Sequence, residues 1–165
     1  MALFLFLISL SLAIFHDSQA DLLGDICSQS VNPTLCNSSL RSDPRSSGAD
    51  IRTLAQIAIE KASAATATTL KVANSLASSG TSQQKIAACV QNCNEAIGVL
   101  DQCRDILSGG GGGSSGNLPT KATTALTDIS ICDSEFGREE PPQLKEASSQ
   151  AQALVNVFFV IANRL

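Results

Sequence analysis

Four long segments of the chain place apolar and small residues at intervals of three and four, which is the spacing of one stripe along an α-helix. These segments cover residues 50–79, 81–109, 118–136 and 141–165. The second segment is the most regular, and its stripe consists of Ile86, Cys89, Cys93, Ala96, Leu100, Cys103 and Leu107. No segment alternates apolar and polar residues with period two, so the sequence predicts an all-α protein without a sheet.

Capping patterns and glycines bound the four segments. Ser47–Asp50 and Thr81–Gln84 have the form of capping boxes, and Pro141-Pro142 fits a first helical turn. A glycine-rich stretch, Gly109–Asn117, predicts a mobile linker before the third helix. Four amphipathic helices with short connections pack most simply as an up-down-up-down four-helix bundle, which we expect over residues 50–165.

The region before the bundle, residues 21–45, predicts a helical hairpin. One arm carries Leu22, Leu23 and Ile26, and Asn32-Pro33 is typical of a turn followed by a helix start. Each arm is shorter than the roughly 12–15 residues that an isolated helix needs. Cys27 and Cys36, one on each arm, are therefore expected to join them.

The first 20 residues are typical of a secretory signal peptide. An apolar run over residues 1–15 is too short to span a bilayer, which takes about 20 residues. Ser18 and Ala20 are the small residues that signal peptidase accepts, so we expect cleavage after Ala20 and a secreted chain of residues 21–165. An N-terminal membrane anchor is the alternative.

Composition excludes several functions. The net charge is −4 and no basic cluster is present, which argues against a nucleic-acid partner. The only histidine, His16, lies in the predicted signal peptide. The mature chain then lacks the commonest general base and metal ligand, so we expect no enzyme activity, no metal and no cofactor. The Gly-Ser tract at residues 111–116 matches nucleotide-binding and hydrolase motifs by accident, because no strand precedes it.

Six cysteines in an oxidising compartment allow 15 disulfide pairings. Cys93 and Cys103 are about 15 Å apart along one helix, beyond the roughly 7 Å between Cα atoms that a disulfide tolerates. The most economical arrangement is Cys27–Cys36 and Cys89–Cys132, with Cys93 and Cys103 as buried free thiols. The alternative is that Cys103 pairs between two chains.

A glycosylation sequon, Asn37-Ser38-Ser39, follows the second cysteine. It makes Asn37 a candidate acceptor on the hairpin, provided that its side chain is exposed when the chain is made.

Several motifs together resemble the plant invertase and pectin methylesterase inhibitor family. They are Ile26-Cys27, Asn32-Pro33-x-Leu35-Cys36, the segment Leu40–Ser46, Cys89 with Ala96-Ile97 and Leu100, and Ala125–Asp128 leading to Cys132-Asp133 and Phe136. The resemblance covers residues 26–165. It implies a hairpin on a four-helix bundle, non-enzymatic inhibition in the apoplast, and the bridges Cys27–Cys36 and Cys89–Cys132. The chain departs from the family at Cys93, commonly Tyr, at Ile131, commonly Thr, and in its glycine-rich loop.

The resemblance also bears on the target. Family members that inhibit cell-wall or vacuolar invertase carry Pro-Lys-Phe near the start of the third bundle helix, whereas this chain has Leu118-Pro119-Thr120-Lys121. We therefore expect an inhibitor that covers the pectin-binding cleft of pectin methylesterase, as a monomer or in a 1:1 complex. Acid invertase is the alternative target, and a non-inhibitory secreted bundle carrying apolar cargo is a weaker alternative.

Two outward faces of the bundle are the candidate enzyme interface. With Ala122, Ala125 and Ile129 directed inward, one face of the third helix carries Thr120, Thr124 and Thr127. The outward side of the second helix carries Glu95, Asp101 and Asp105. Composition alone predicts that these six residues form a solvated surface.

Overall fold

The computed structural model describes residues 22–77, 81–109 and 114–165. All of its regular structure is helical, which confirms the predicted fold class. The helices are α1 (22–28), α2 (Pro33–Arg41), α3 (Ile51–Leu76), α4 (Gln83–Leu107), α5 (Leu118–Phe136) and α6 (Pro142–Ala162). Among these residues, no helix has both the length and the hydropathy to cross a membrane. The predicted signal peptide lies outside the described residues.

The four long helices form a closed ring in which each packs against its sequence neighbours. α3 contacts α4, α4 contacts α5, α5 contacts α6, and α6 returns to pack against α3. This arrangement is the predicted four-helix bundle. Of the predicted linker Gly109–Asn117, Ser115–Asn117 forms a single 3₁₀ turn leading into α5. Residues 110–113 of that linker lie outside the described residues.

Helices α4 and α5 bury the stripes that the sequence spacing predicts. All seven stripe residues of α4 are buried. The same holds for the six predicted on α5, which are Leu118, Ala122, Ala125, Ile129, Cys132 and Phe136. Each of these helices buries one narrow face, and that face is rich in alanine and cysteine. Small side chains let α4 and α5 approach each other closely, so the interface between them, which we call the seam, is densely packed.

Helices α3 and α6 bury a wider surface than the predicted stripes. The predicted stripe runs through Ala55, Ala58 and Ala62 on α3 and through Ala151, Leu154 and Phe158 on α6. Beside these stripes, Ile57 and Ile59 of α3 and Val155 and Val157 of α6 are also buried. The hairpin explains the difference, because α2 packs against both α3 and α6 and covers a second face of each. The spacing within one helix cannot show that a distant segment covers it.

The hairpin is held by one disulfide and several polar contacts. Cys27 and Cys36 are bonded, and both are fully buried. Asn32 caps α2 by accepting a hydrogen bond from the backbone N–H of Leu35 at 3.0 Å. The backbone N–H of Val31, at the turn, donates to Oδ1 of Asn156 on α6 at 2.9 Å. These contacts fix arms that are too short to be stable alone.

The predicted capping boxes are wrong in detail. The N-cap of α3 is Asp50, whose carboxylate accepts a hydrogen bond from the backbone N–H of Thr53 at 2.8 Å, so Ser47 is not the cap. The N-cap of α4 is Ser82, and its side chain makes no capping hydrogen bond. A single aspartate at the N-cap satisfies one of the free N–H groups and interacts favourably with the helix dipole.

The core is divided into two apolar clusters of unequal size. The larger cluster joins the hairpin to the near half of the bundle. The smaller cluster fills the far end and contains Ala73, Leu76, Ile86, Cys89, Cys93, Cys132, Phe136 and Leu144. A disulfide between Cys89 and Cys132 crosses from α4 to α5 within this smaller cluster. Both bridges are therefore the expected ones, which confirms the predicted pairing.

A cluster of polar side chains links the end of α5 to the start of α6. The carboxylate of Asp133 accepts hydrogen bonds from Ser148 Oγ at 2.6 Å and Gln152 Nε2 at 2.8 Å. Beside it, Oε1 of Glu140 is buried, and no hydrogen-bond partner for it lies within the described chain. Burial and the negative charge of Asp133 raise the pKa of Glu140 to about 7.

Removing either bridge should weaken a different part of the molecule. Chain-entropy arithmetic gives about 4 kcal/mol for Cys89–Cys132, whose cysteines are 43 residues apart, and about 2.5 kcal/mol for Cys27–Cys36, which are 9 apart. Cys132→Ser should lower the melting temperature of the bundle. Cys27→Ser should loosen the hairpin and leave the bundle helical. Circular dichroism measures the helix content of each variant. An equal loss of helix in both would show that the hairpin does not loosen independently of the bundle.

The stability of the fold should fall as the pH rises from about 4.5 to about 7. The folded-state pKa of Glu140 lies above its unfolded value, so its stabilising contribution is complete at low pH and is lost as the carboxyl ionises. Glu140→Gln stays neutral, so it should match the wild-type melting temperature at pH 4 and exceed it at pH 8. The exposed neighbour Glu139→Gln is the control. If Glu139→Gln raised the melting temperature at pH 8 as much as Glu140→Gln, ionisation of Glu140 would be excluded as the cause.

Candidate functional site

The exposed face of α5 carries four threonines, of which the sequence pattern identified Thr120, Thr124 and Thr127. The fourth is Thr123. The hydroxyls of Thr123, Thr124 and Thr127 each donate to the carbonyl four residues earlier, at 3.0, 3.1 and 3.0 Å. Because these three protons are bonded within the helix, Thr123, Thr124 and Thr127 offer methyl groups and oxygen lone pairs rather than free hydroxyl donors. Covering such a face costs little in lost hydrogen bonds to water.

These threonines line one shallow, open groove together with Asp128. Sequence reasoning missed Asp128 and Thr123. Their positions would have identified them, because Thr123 follows Thr120 by three residues and Asp128 follows Thr124 by four, which places them on the same helical face. We refer to Thr120, Thr123, Thr124, Thr127 and Asp128 as the threonine groove.

Of the three acidic candidates on α4, only Glu95 is shown to act on this groove. Burial raises the pKa of Asp128, and the negative charge of Glu95 raises it further, so the two carboxyls are close enough to interact. Glu95 also accepts a hydrogen bond from Gln91 Nε2 at 3.0 Å. Asp128 on α5 and the negative charge of Glu95 on α4 make this side of the groove acidic.

Asp101 and Asp105 are outside the threonine groove. Asp101 follows Glu95 by six residues, which turns it about 120° around α4. It forms an exposed ion pair with Arg104 at 2.6 Å. Asp105 is exposed near the end of α4. The two aspartates lie on the outward surface of α4, and neither lines the groove.

A polar contact fixes α5 beside α4 near the start of the groove. Nζ of Lys121 donates to Oε1 of Gln102 at 2.6 Å. Pro119 lies in the first turn of α5, where its missing N–H costs no helical hydrogen bond. Leu118, immediately before it, is completely buried and anchors the start of the helix. The groove is thus built on a rigid element rather than on a loop.

The two remaining cysteines, Cys93 and Cys103, are free thiols with no exposed surface. Burial raises the pKa of both thiols to about 11, so few are ionised at neutral pH. Cys93 Sγ lies 3.7 Å from Cys132 Sγ, a partner of the bundle bridge. Cys89, Cys93 and Cys132 have the spacing of metal ligands, but metals bind thiolates and two of these three sulfurs are bonded to each other.

The sequon asparagine is engaged within α2. Nδ2 of Asn37, the atom that would carry a glycan, donates to the carbonyl of Pro33 at 2.9 Å. Oδ1 of Asn37 accepts from Nε of Arg41 at 3.3 Å. A glycan would have to be attached before this helix forms, so glycosylation of Asn37 stays a prediction.

The fold and this surface together define a class: a disulfide-stapled helical hairpin and four-helix bundle that presents a rigid face. A family model described as plant invertase/pectin methylesterase inhibitor matches residues 21–161. The chain therefore belongs to the plant invertase/pectin methylesterase inhibitor family. Members of this family are inhibitors rather than catalysts, which agrees with the expectation that the chain is not an enzyme.

Relatives and solved structures agree with this assignment. The chain is 32% identical to a pectinesterase inhibitor of Actinidia deliciosa, over 87% of this chain and 79% of the relative. It is 28% identical to pectinesterase inhibitor 2 of Arabidopsis thaliana, over 85% and 82%. A crystal structure of a mutant form of an Arabidopsis pectin methylesterase inhibitor superposes with a TM-score of 0.73 at 23% identity, covering 85% of this chain and 94% of that one. That likeness shows the fold.

Cys93 and Cys103 should resist alkylation in the native protein. Both side chains are buried and their thiols are mainly protonated, whereas alkylating agents need an accessible thiolate. We expect iodoacetamide at pH 7.5 to modify both residues only after denaturation, as followed by mass spectrometry of the digested protein. Rapid modification of either residue in the folded protein would contradict this packing of α4.

Proposed function

We propose that this chain is a secreted inhibitor of pectin methylesterase that controls the de-esterification of cell-wall pectin. The observation that carries the proposal is the similarity, over more than four fifths of the chain, to two proteins named pectinesterase inhibitors. We also propose that residues 1–20 are the signal peptide and that residues 21–165 act in the apoplast. In this proposal the hairpin of residues 21–45 and the four-helix bundle form one inhibitor domain.

The proposed mechanism is steric. We infer that the chain inhibits by occupying surface that the substrate needs, here the pectin-binding cleft, because it needs no catalytic groups of its own to do so. A rigid helical face suits this role because few of its side chains and no loops need to become ordered on binding, so little conformational entropy is lost. The threonine groove is our candidate contact, because the hydroxyl protons of Thr123, Thr124 and Thr127 are already bonded and the threonine methyl groups can be buried.

Charge would act mainly on the rate of encounter. Without residues 1–20 the chain has 14 acidic and 11 basic residues, a net charge of −3. Glu95, Asp101 and Asp105 on α4 are our candidates for steering the inhibitor toward a basic enzyme. Such a contribution raises the association rate and weakens as salt is added.

Invertase is the alternative target. The family's invertase-binding tripeptide has no counterpart at the start of α5, where Leu118 is buried and Thr120 is exposed. The deciding experiment is a titration of the purified mature chain against a plant pectin methylesterase and an acid invertase. We expect stoichiometric 1:1 loss of esterase activity and no loss of invertase activity; the reverse result would overturn the proposal.

A bulky cation in the threonine groove should weaken inhibition. Thr124→Lys places a long charged chain on the proposed contact, and we expect the inhibition constant to rise at least about tenfold, or about 1.4 kcal/mol. Thr68→Lys on α3 is the matched control, because Thr68 is also exposed and its hydroxyl also donates to the carbonyl four residues earlier. An equal effect of both substitutions would remove the groove from the interface.

Neutralising two carboxylates on α4 tests the steering separately. Asp101→Asn with Asp105→Asn should slow association at low salt and reduce its dependence on salt, while changing dissociation little. Stopped-flow or surface plasmon resonance at two salt concentrations measures both rates. An unchanged association rate with an unchanged salt slope would exclude this side of α4 from steering.

A further inference from the structure

Three cysteine sulfurs meet between α4 and α5 in the smaller apolar cluster. Cys89 and Cys93 are one turn apart on α4, and Cys132 faces them from α5. All three sulfurs lie within 4.8 Å of one another, and all three residues are completely buried. Cys132 is bonded to Cys89, and its sulfur is 3.7 Å from the free thiol of Cys93. A free thiol therefore lies next to the disulfide that joins the bundle.

We propose that these cysteines form a thiol–disulfide exchange site, in which Cys93 displaces Cys89 from Cys132 and the bundle bridge has two isomers. In the exchange, Cys93 loses its proton and its sulfur attacks Sγ of Cys132. The Cys93–Cys132 bond forms as the Cys89–Cys132 bond breaks. The bonding electron pair leaves on Sγ of Cys89, which takes up a proton. One disulfide and one thiol are present before and after, so no oxidant or reductant is needed.

The exchange requires a rotation of the Cys93 side chain. Attack proceeds along the extension of the S–S bond, where the incoming sulfur would be about 5.7 Å from Sγ of Cys89, given a bond of about 2 Å. Cys93 Sγ is within 4.8 Å of Cys89 Sγ, so it lies beside the bond. Because the pKa of Cys93 is raised by burial, its thiolate is scarce as well. Both features make the exchange slow while this end of the bundle is closed.

The two isomers differ in where α4 is attached to α5. Cys132 stays bonded in both, so the helices remain joined, but the attachment on α4 moves by one turn, about 6 Å. The new position is two residues from Glu95, and Cys132 is four residues from Asp128. The exchange therefore moves the covalent link toward the pair of carboxyls at the edge of the threonine groove.

Cys103 provides the matched comparison. It is also a free thiol, is equally buried, and has a pKa raised to the same value of about 11. It lies ten residues beyond Cys93, about 15 Å along α4, and cannot reach Cys132. A difference between Cys93 and Cys103 in these experiments then reflects proximity to the bridge rather than burial.

The first test forces the alternative bridge. Cys89→Ser and Cys103→Ser proteins are denatured in acid, blocked with a maleimide and mapped by fragmentation mass spectrometry. We expect Cys89→Ser to contain a Cys93–Cys132 disulfide with Cys103 as its one free thiol, and Cys103→Ser to keep Cys89–Cys132. A helical Cys89→Ser protein in which Cys93 and Cys132 are both blocked by maleimide would overturn the proposal.

The second test uses the unaltered chain and does not depend on the folding of a variant. The wild-type protein is held at pH 8.5, sampled over a day, quenched in acid, denatured and blocked with the maleimide. We expect label at Cys89 to rise to a plateau while label at Cys93 falls by the same amount and label at Cys103 stays constant. Cys93→Ser should show no label at Cys89. Absence of label at Cys89 in the wild type throughout the day would overturn the exchange.

Discussion

The disulfide between Cys89 and Cys132 joins α4 to α5 at the end of the bundle where the apolar core is smallest. The other end has a larger core because the hairpin adds to it. A bridge that closes 43 residues restricts the unfolded chain and compensates for the smaller buried surface. The same seam carries the contact between Lys121 and Gln102 and the interaction between Glu95 and Asp128. The position of the threonine groove depends on this seam.

The periodicity of the sequence predicts the seam more accurately than the rest of the core. Helices α4 and α5 bury the predicted stripe and pack chiefly against their long-helix neighbours. For α3 and α6 the stripe is incomplete, because Ile57 and Val155 are buried on a face that the hairpin helps to cover. Coverage by a distant segment is a tertiary property that no spacing within one helix encodes.

The sequence predicts only part of the candidate surface, because the surface also depends on how neighbouring helices pack. A helical wheel places Thr120, Thr124 and Thr127 outward, and they do line one groove. It does not show which flank of α4 is turned toward α5, so the wheel alone does not identify Glu95, rather than Asp101, as the residue whose charge acts on Asp128. The raised pKa of Glu140 also depends on a neighbour from another turn of chain, Asp133, that its own local sequence does not identify.

We propose that the threonine groove of α5 contacts pectin methylesterase. Threonine methyl groups report such contact directly through NMR cross-saturation, with a deuterated, methyl-labelled inhibitor bound to protonated enzyme. We predict strong attenuation of the methyl signals of Thr120, Thr123, Thr124 and Thr127 and an unchanged signal for Thr68 on α3. Attenuation at Thr68 with unchanged signals from the four α5 threonines would contradict contact through the threonine groove.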